Sequence, residues 1–362
     1  MTDAPFEGAP APRANAELLG QQAAESTLFE AYRSGRLPHA WLLTGPRGVG
    51  KATLAYRFAR FLLSGGGGDG GLFGAEPTGL ALGAEHPVFR LVASGGHPDL
   101  LAVERGVNEK TGKPRGEIVV ADVRSVASFL HMTPGEGGWR VVVVDSADEM
   151  NRAAANAILK ILEEPPRQAL LLMVSHAPGR LLPTIRSRCC RLPVPALDNA
   201  TVALLLERYR PDLTSEDASA LGRLAEGSIG KALDLAASEG LELYRDLVDL
   251  LSGLPRLDVL RVHALGDRLA RGGDGTAFRV GTELLSWWLA RMIHGGAGGA
   301  LPAEVVGGEA ALMARLLERR SLAQWLTLWE KWGRLFASAE GANLDRKQVV
   351  VTAFLELEAL AA

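Results

Sequence analysis

The stretch Gly45-Pro46-Arg47-Gly48-Val49-Gly50-Lys51-Ala52-Thr53 constrains this chain more than any other. It follows the apolar run Ala40-Trp41-Leu42-Leu43 and leads into Leu54-Ala55-Tyr56-Arg57-Phe58-Ala59-Arg60-Phe61, which has helical spacing. A strand, a glycine-rich turn and a helix N-terminus in that order make a phosphate cradle. The glycines let backbone N–H groups converge, while the helix dipole and the Lys51 ammonium add positive charge. Gly45, Gly48, Gly50 and Lys51 are therefore candidate nucleotide-binding residues. The pattern G-x-x-x-x-G-K-[ST] is complete up to its last position, which holds Ala52. The hydroxyl normally found there ligates Mg²⁺. Thr53 is a further candidate contact, but one residue along a helix points roughly 100° away, so it cannot simply substitute. A glycine turn without a ligand is the alternative.

Downstream, Trp139-Arg140-Val141-Val142-Val143-Val144-Asp145 reads as a strand. Four consecutive valines imply burial on both faces, hence a parallel sheet covered by helices. Asp145 ends that strand at the carboxyl edge, where such folds place ligands, and joins the nucleotide-binding candidates. A phosphate loop followed by such a strand is the Walker A and Walker B pair. In an active ATPase the aspartate helps hold Mg²⁺, and in many families a glutamate follows it to polarise the attacking water. Here Ser146 follows, with no carboxylate to orient or deprotonate water. Asp148 and Glu149 lie past the strand end and are poor replacements.

Composition bounds the remainder. A chain of 362 residues accommodates two or three domains. Hydrophobic residues at 47% and charged residues at 22% fit a soluble globular protein. The net charge of −3 gives no bulk basic signature, so any nucleic-acid contact would be local or shared with partner chains. The cysteines, Cys189 and Cys190, are adjacent, which suits neither a disulfide framework nor a zinc site and points to a reducing cytosol. The N-terminus lacks a signal-peptide pattern, and no run of about 18 apolar residues predicts a membrane span.

The expected organisation starts with a disordered arm over residues 1–15. An α/β domain follows over 16–195, opened by a helical stretch from about Leu18 to Ser34. His39 would contact an adenine or, preferably, pack where the chain enters the first strand. Residues 64–96 contain Gly65-Gly66-Gly67-Gly68-Asp69-Gly70-Gly71 and read as a glycine-rich loop insertion. Asp122 is expected to N-cap a helix from Val123 to about His131. Beyond Pro195 the pattern is wholly helical. A small domain over 196–240 has helices near 199–208, 215–224 and 229–237, and longer helices fill 241–362. Trp325, Trp329 and Trp332 are spaced four and three apart and so share a face, either as a core stripe or as an oligomeric contact.

Asn156-Ala157-Ile158-Leu159-Lys160, Leu162-Glu163-Glu164-Pro165-Pro166 and Thr184-Ile185-Arg186-Ser187-Arg188-Cys189 closely resemble the motifs of bacterial clamp-loader AAA+ subunits. So do Gly96-His97-Pro98-Asp99 and Asn343-Leu344-Asp345-Arg346-Lys347-Gln348. The resemblance implies an α/β plus all-α fold: a RecA-like AAA+ parallel-sheet domain, a three-helix lid and a helical collar that joins subunits into a pentameric ring. It implies γ/τ and δ subunits as partners, and the sliding clamp and primer-template DNA through the complex. It makes Arg188, in the Ser-Arg-Cys motif, an arginine finger acting on the ATP of a neighbouring subunit. It places the sensor position at the end of the fourth strand on Ser175 or His176.

Departures from the family pattern matter as much. Active subunits carry an arginine in a Gly-Ser-x-Arg motif, whereas Gly227-Ser228-Ile229 is followed here by Gly230, with Lys231 one position out of phase. Many relatives have four zinc-binding cysteines in the insertion after the first helix, and here that segment has none, so no zinc or other metal is expected. The cradle could hold ATP or ADP, which would not be hydrolysed. Polymerase activity would belong to the holoenzyme. The competing expectations are a self-sufficient γ/τ-like ATPase, which needs Ala52, Ser146 and Gly230 all to be compensated, and an unrelated P-loop enzyme such as a kinase.

Overall fold

A computed structural model describes residues 8–66, 77–107, 112, 115–132, 135, 138–271, 275–341 and 344–362. It divides into two compact units, residues 1–213 with 226–231, and residues 214–225 with 232–362. The division falls inside the region expected as a separate three-helix domain.

The first unit contains α1 (Gln22–Arg33), β1 (Ala40–Thr44), α2 (Lys51–Leu63), α3 (Pro87–Ser94), β2 (Leu100–Val103), α4 (Val120–His131) and β3 (Arg140–Val144). It continues with α5 (Arg152–Glu163), β4 (Ala169–Ser175), α6 (Pro183–Arg186), β5 (Cys190–Pro193) and α7 (Asn199–Tyr209). The five strands form one parallel sheet in the order β2-β3-β4-β1-β5. The valine run explains its layering. Val141 and Val143 join Leu43, Leu54, Phe58 and Phe61 in one core, while Val142 and Val144 join Leu42, Val126, Ile158 and Leu162 in the other. The register sets Thr44 beside Ser175 and Val144 beside Met173. The carboxyl ends of β3, β4 and β1 therefore form one continuous edge, which is what assembles the site.

Three local expectations change. Residues 64–96 are not loop throughout, because Pro87–Ser94 is a helix; residues 67–76 of the insertion lie outside the described residues. Its start is set by Pro87 and by His86, whose Nδ1 accepts the Val88 N–H at 3.2 Å, and its apolar side is Val88, Phe89 and Val92. Residues 8–15, expected to be disordered, are fixed. Pro12–Ala14 forms a 3₁₀ turn, and the buried Arg60 guanidinium donates to the carbonyls of Arg13 at 2.8 Å and Asn15 at 2.7 Å while lying 4.5 Å from the Phe89 ring centre. Asp122 is not the N-cap of α4 but its third residue, and it accepts the Val119 N–H at 2.9 Å.

The chain then forms α8 (Ser215–Ala225) and α9 (Ile229–Ala237), whose first turn belongs to the first unit. The second unit goes on with α10 (Gly240–Ser252), α11 (Val259–Ala270), α12 (Thr276–Gly298), α13 (Glu309–Arg319), α14 (Leu322–Gly341) and α15 (Arg346–Ala361). Within it α11 packs on α15 and α12 on α14. The Glu309 carboxylate is buried. It accepts from the Tyr244 hydroxyl, from Arg291 at 2.8 Å and from the Val305 N–H at 2.8 Å. The tryptophans do not act as one face. Trp325 and Trp332 are fully buried, whereas Trp329 is 40% exposed. Among the described residues no helix is long and apolar enough to cross a membrane.

Candidate functional site

The phosphate loop bridges β1 and α2 as its sequence demands. Gly45 approaches the chain after β5 so closely that a Cβ there would lie 1.9 Å from the Val194 carbonyl oxygen. Gly48 adopts φ +74°, and a Cβ would meet the Ser228 hydroxyl at 2.4 Å and the Gly230 Cα at 3.0 Å. Gly50 is the residue before α2, also at positive φ, so the first N–H groups of α2 open onto the loop. Lys51 is buried, and its ammonium donates to the carbonyls of Gly45, at 2.8 Å, and Pro46. Thr53 is buried within α2.

Sequence reasoning missed two supports of this loop. Gln21, buried just before α1, donates from Nε2 to the carbonyls of Val49 at 3.1 Å and Pro195 at 2.9 Å, tying the loop to the chain after β5. Its polar amide carries no periodic signal. The second support is α9. The Ser228 hydroxyl accepts the Lys231 N–H at 3.0 Å, and the Gly230 N–H donates to the Gly48 carbonyl at 3.0 Å. The position that would hold an arginine is thus a glycine in backbone contact with the loop.

Asp145, Ser146, Ser175 and His176 meet along the carboxyl edge. Asp145 and Ser175 are buried at the ends of β3 and β4. Ser146 adopts the left-handed conformation, φ 61° and ψ 56°, and its Oγ lies 3.1 Å from the His176 Nε2. The nearby carboxylates are engaged elsewhere. Asp148 accepts the backbone N–H groups of His176 at 2.9 Å and Ala177 at 3.0 Å. Partial burial is the largest influence and works to raise the Asp148 carboxyl, but the hydrogen-bonding groups beside it, the His176 N–H and the Ser175 hydroxyl foremost, together outweigh it and hold the group below the usual carboxylate range. Glu149 pairs with Arg105 at 2.9 Å. His39, as preferred, packs where the chain enters β1, with Nε2 3.1 Å from the Leu162 carbonyl oxygen.

A nucleotide bound here would meet this edge through its phosphates. The loop amides, the N-terminus of α2 and Lys51 would hold the phosphates, with Asp145 facing a bound metal, and the nucleotide would supply the phosphoanhydride. No carboxylate follows Asp145 to act on water. Among the described residues no group of three or more His, Cys, Asp or Glu is arranged to hold a metal on its own.

Arg188 stands apart from this edge, on the turn between α6 and β5. Its neighbours anchor that turn. Ile185 is fully buried, and the Cys189 Sγ lies 3.8 Å from the Met173 Sδ of β4. Burial, with the adjacent Cys190, pushes the Cys189 thiol up to about 12. The Arg188 side chain is 34% exposed; Nη2 lies 2.7 Å from Glu163 Oε1, and Nη1 donates to the Thr184 carbonyl at 2.9 Å. Two further motifs of the resemblance make local contacts. Asp99, buried, accepts the Gly135 N–H at 2.9 Å and faces Arg140 at 3.8 Å. Asp345 caps α15 through the Gln348 N–H at 3.2 Å, and Asn343 lies outside the described residues.

A phosphate loop between β1 and α2, an aspartate ending β3 and helices continuing the chain define a RecA-like AAA+ protein. A family model described as "DNA polymerase III, delta subunit" matches residues 20–198. A Pseudomonas aeruginosa DNA polymerase III subunit delta′ is 37% identical over 219 residues, 60% of this chain and 61% of that protein. An Escherichia coli DNA polymerase III subunit tau is 30% identical over 228 residues, 62% of this chain and 32% of that protein. The chain thus spans less than two thirds of the length of these curated relatives. A crystal structure of a gamma subunit-related protein from Thermotoga maritima is similar over 92% of this chain and 100% of its own, with 18% identity and a TM-score of 0.42. Over about 60% of its length the chain is thus similar to bacterial DNA polymerase III delta′ and tau subunits.

Proposed function

We propose that this chain is a δ′-type subunit of a clamp loader, which does not hydrolyse ATP itself and donates Arg188 to the ATP site of a neighbouring γ/τ-type subunit. The observation that carries this reading is the contrast between the two sites. The chain's own edge has Ser146 where a base would stand and commits Asp148 and Glu149 to other partners, while Arg188 is partly exposed on a firmly anchored turn. A guanidinium offered this way stabilises charge on γ-phosphoryl oxygens, which is the work of a trans-acting arginine. Similarity to both δ′ and τ proteins supports the clamp-loader class; Ala52, Ser146 and Gly230 together favour the non-hydrolysing member.

The partners would be γ/τ and δ subunits in a five-membered ring, acting on the sliding clamp and primer-template DNA in the cytoplasmic replisome. Residues 16–195 would serve as the AAA+ domain, 196–240 as the lid and 241–362 as the collar. Reconstitution tests this reading. Mixed with γ/τ and δ, the chain should complete a ring with DNA-stimulated ATPase, and alone it should show no Mg²⁺-dependent turnover. Multiple turnover by the isolated chain, abolished by Lys51→Ala, would return the chain to the active γ/τ-like class.

A further inference from the structure

We infer that Glu163 is a positioning residue for Arg188, setting the plane in which the guanidinium is presented; this rests on Arg188 acting in trans. The backbone on both sides of Arg188 is already fixed, by Ile185 in the core and by Cys189 against Met173. The remaining freedom lies in the long side chain, which two acceptors from different elements remove. Glu163, the last residue of α5, holds Nη2 at 2.7 Å, and the Thr184 carbonyl of α6 holds Nη1 at 2.9 Å. A guanidinium is a rigid planar fork with five N–H donors, so two acceptors on two different nitrogens fix its plane and leave three donors for a phosphate.

Glu163 itself is placed by its helix. Ile161 and Leu162 are buried beside it, and Glu164-Pro165-Pro166 stop α5 there, so its carboxylate projects from a fixed point. The negative end of the α5 dipole adds a second, weaker attraction for the guanidinium. The pair's contribution to folding is small, because Arg188 and Glu163 are 34% and 49% exposed and solvent screens such a pair. Its effect should therefore appear in the rate rather than in stability.

The experiment is a double-mutant cycle in the reconstituted γ/τ–δ complex containing this chain, read as DNA-stimulated ATPase. Glu163→Ala should lower kcat several-fold, and no more than about the 10²-fold that a misplaced catalytic contact costs, with the KM for ATP unchanged. Glu163→Gln, which keeps an acceptor, should recover part of the loss. The melting temperature of the chain should stay the same in both variants. In the Arg188→Ala background Glu163→Ala should have no further effect. A full-sized effect in that background would mean that Glu163 acts independently of Arg188 and would overturn the inference. So would wild-type kcat for Glu163→Ala when Arg188→Ala is impaired. No effect of Arg188→Ala at all would remove the trans-acting arginine, and the inference with it.

Discussion

The backbone N–H of Gly230 donates to the carbonyl of Gly48 at 3.0 Å, so the first turn of α9 rests directly on the phosphate loop. An arginine that reached into the site from this position would do so through its side chain, whereas the contact made here is through the backbone. The loop apex and the start of α9 are thereby one packed unit.

The contact makes Gly48→Ala a test of the loop's structural role. The methyl would lie 2.4 Å from the Ser228 hydroxyl, at a residue held at φ +74°. Gly→Ala at an incompatible positive φ costs more than about 1 kcal/mol. For a unit of this size that corresponds to a loss of about 2–4 °C or more in melting temperature. Calorimetry should show that loss, and an unchanged melting temperature would mean that α9 does not bear on the loop.

Cys189 and Cys190 should differ sharply in reactivity. A thiol pushed up to about 12 stays protonated through neutral and mildly alkaline pH, and the thiolate is the nucleophile. At pH 8, iodoacetamide followed by peptide mass spectrometry should find modification at the exposed Cys190 and little at Cys189.

Much of this was legible in the sequence, for identifiable reasons. The phosphate loop and β3 carry their own signals, a glycine spacing and a four-valine run, and both formed where expected. The Ser146–His176 pair and the capture of Asp148 by the His176 and Ala177 N–H groups were not legible, because β4 alone brings together residues about 30 positions apart. Helix α3 was missed because its eight residues are a short stretch within a segment whose glycine-rich start reads as loop. The tryptophan trio failed on angle. At about 100° per residue Trp332 lies only about 20° from Trp325, but Trp329 lies about 40° off on the other side. That is enough to leave it at the edge of a stripe that Leu328 and Phe336 complete.

The two tryptophan classes should accordingly separate by mutation. Trp332→Ala should cost about 3–5 kcal/mol, as for a large buried aromatic. Trp329→Ser should stay within about 0.5 kcal/mol, as for an exposed position. Denaturant unfolding of the chain checks both. Equal losses would place Trp329 in the core.

The buried Glu309 group gives the second unit a pH signature. Burial, followed by the Glu309 charge, raises the Tyr244 hydroxyl well above the ordinary tyrosine value. A pKa raised on folding contributes stability that is full below the unfolded value of about 10 and is lost as pH climbs toward the folded one. The stability difference between wild type and Tyr244→Phe should therefore shrink above pH ~10. Removing the carboxylate with Glu309→Leu leaves Arg291 without its 2.8 Å partner and should cost about 3–5 kcal/mol. Urea unfolding at pH 8 and above pH 10 measures both effects.

The most direct measurement is DNA-stimulated ATP hydrolysis by the reconstituted complex carrying Arg188→Ala in this chain. Known trans-acting arginines contribute roughly 10³–10⁵ in rate at the site they serve, and in a ring with several ATP sites the loss is diluted because one site faces this subunit. The complex should assemble and bind ATP as before, with hydrolysis and clamp loading reduced. Arg188→Lys should not restore them, since a point charge lacks the planar fork. Wild-type hydrolysis and loading by an intact Arg188→Ala complex would contradict the assignment and leave Arg188 a surface partner of Glu163.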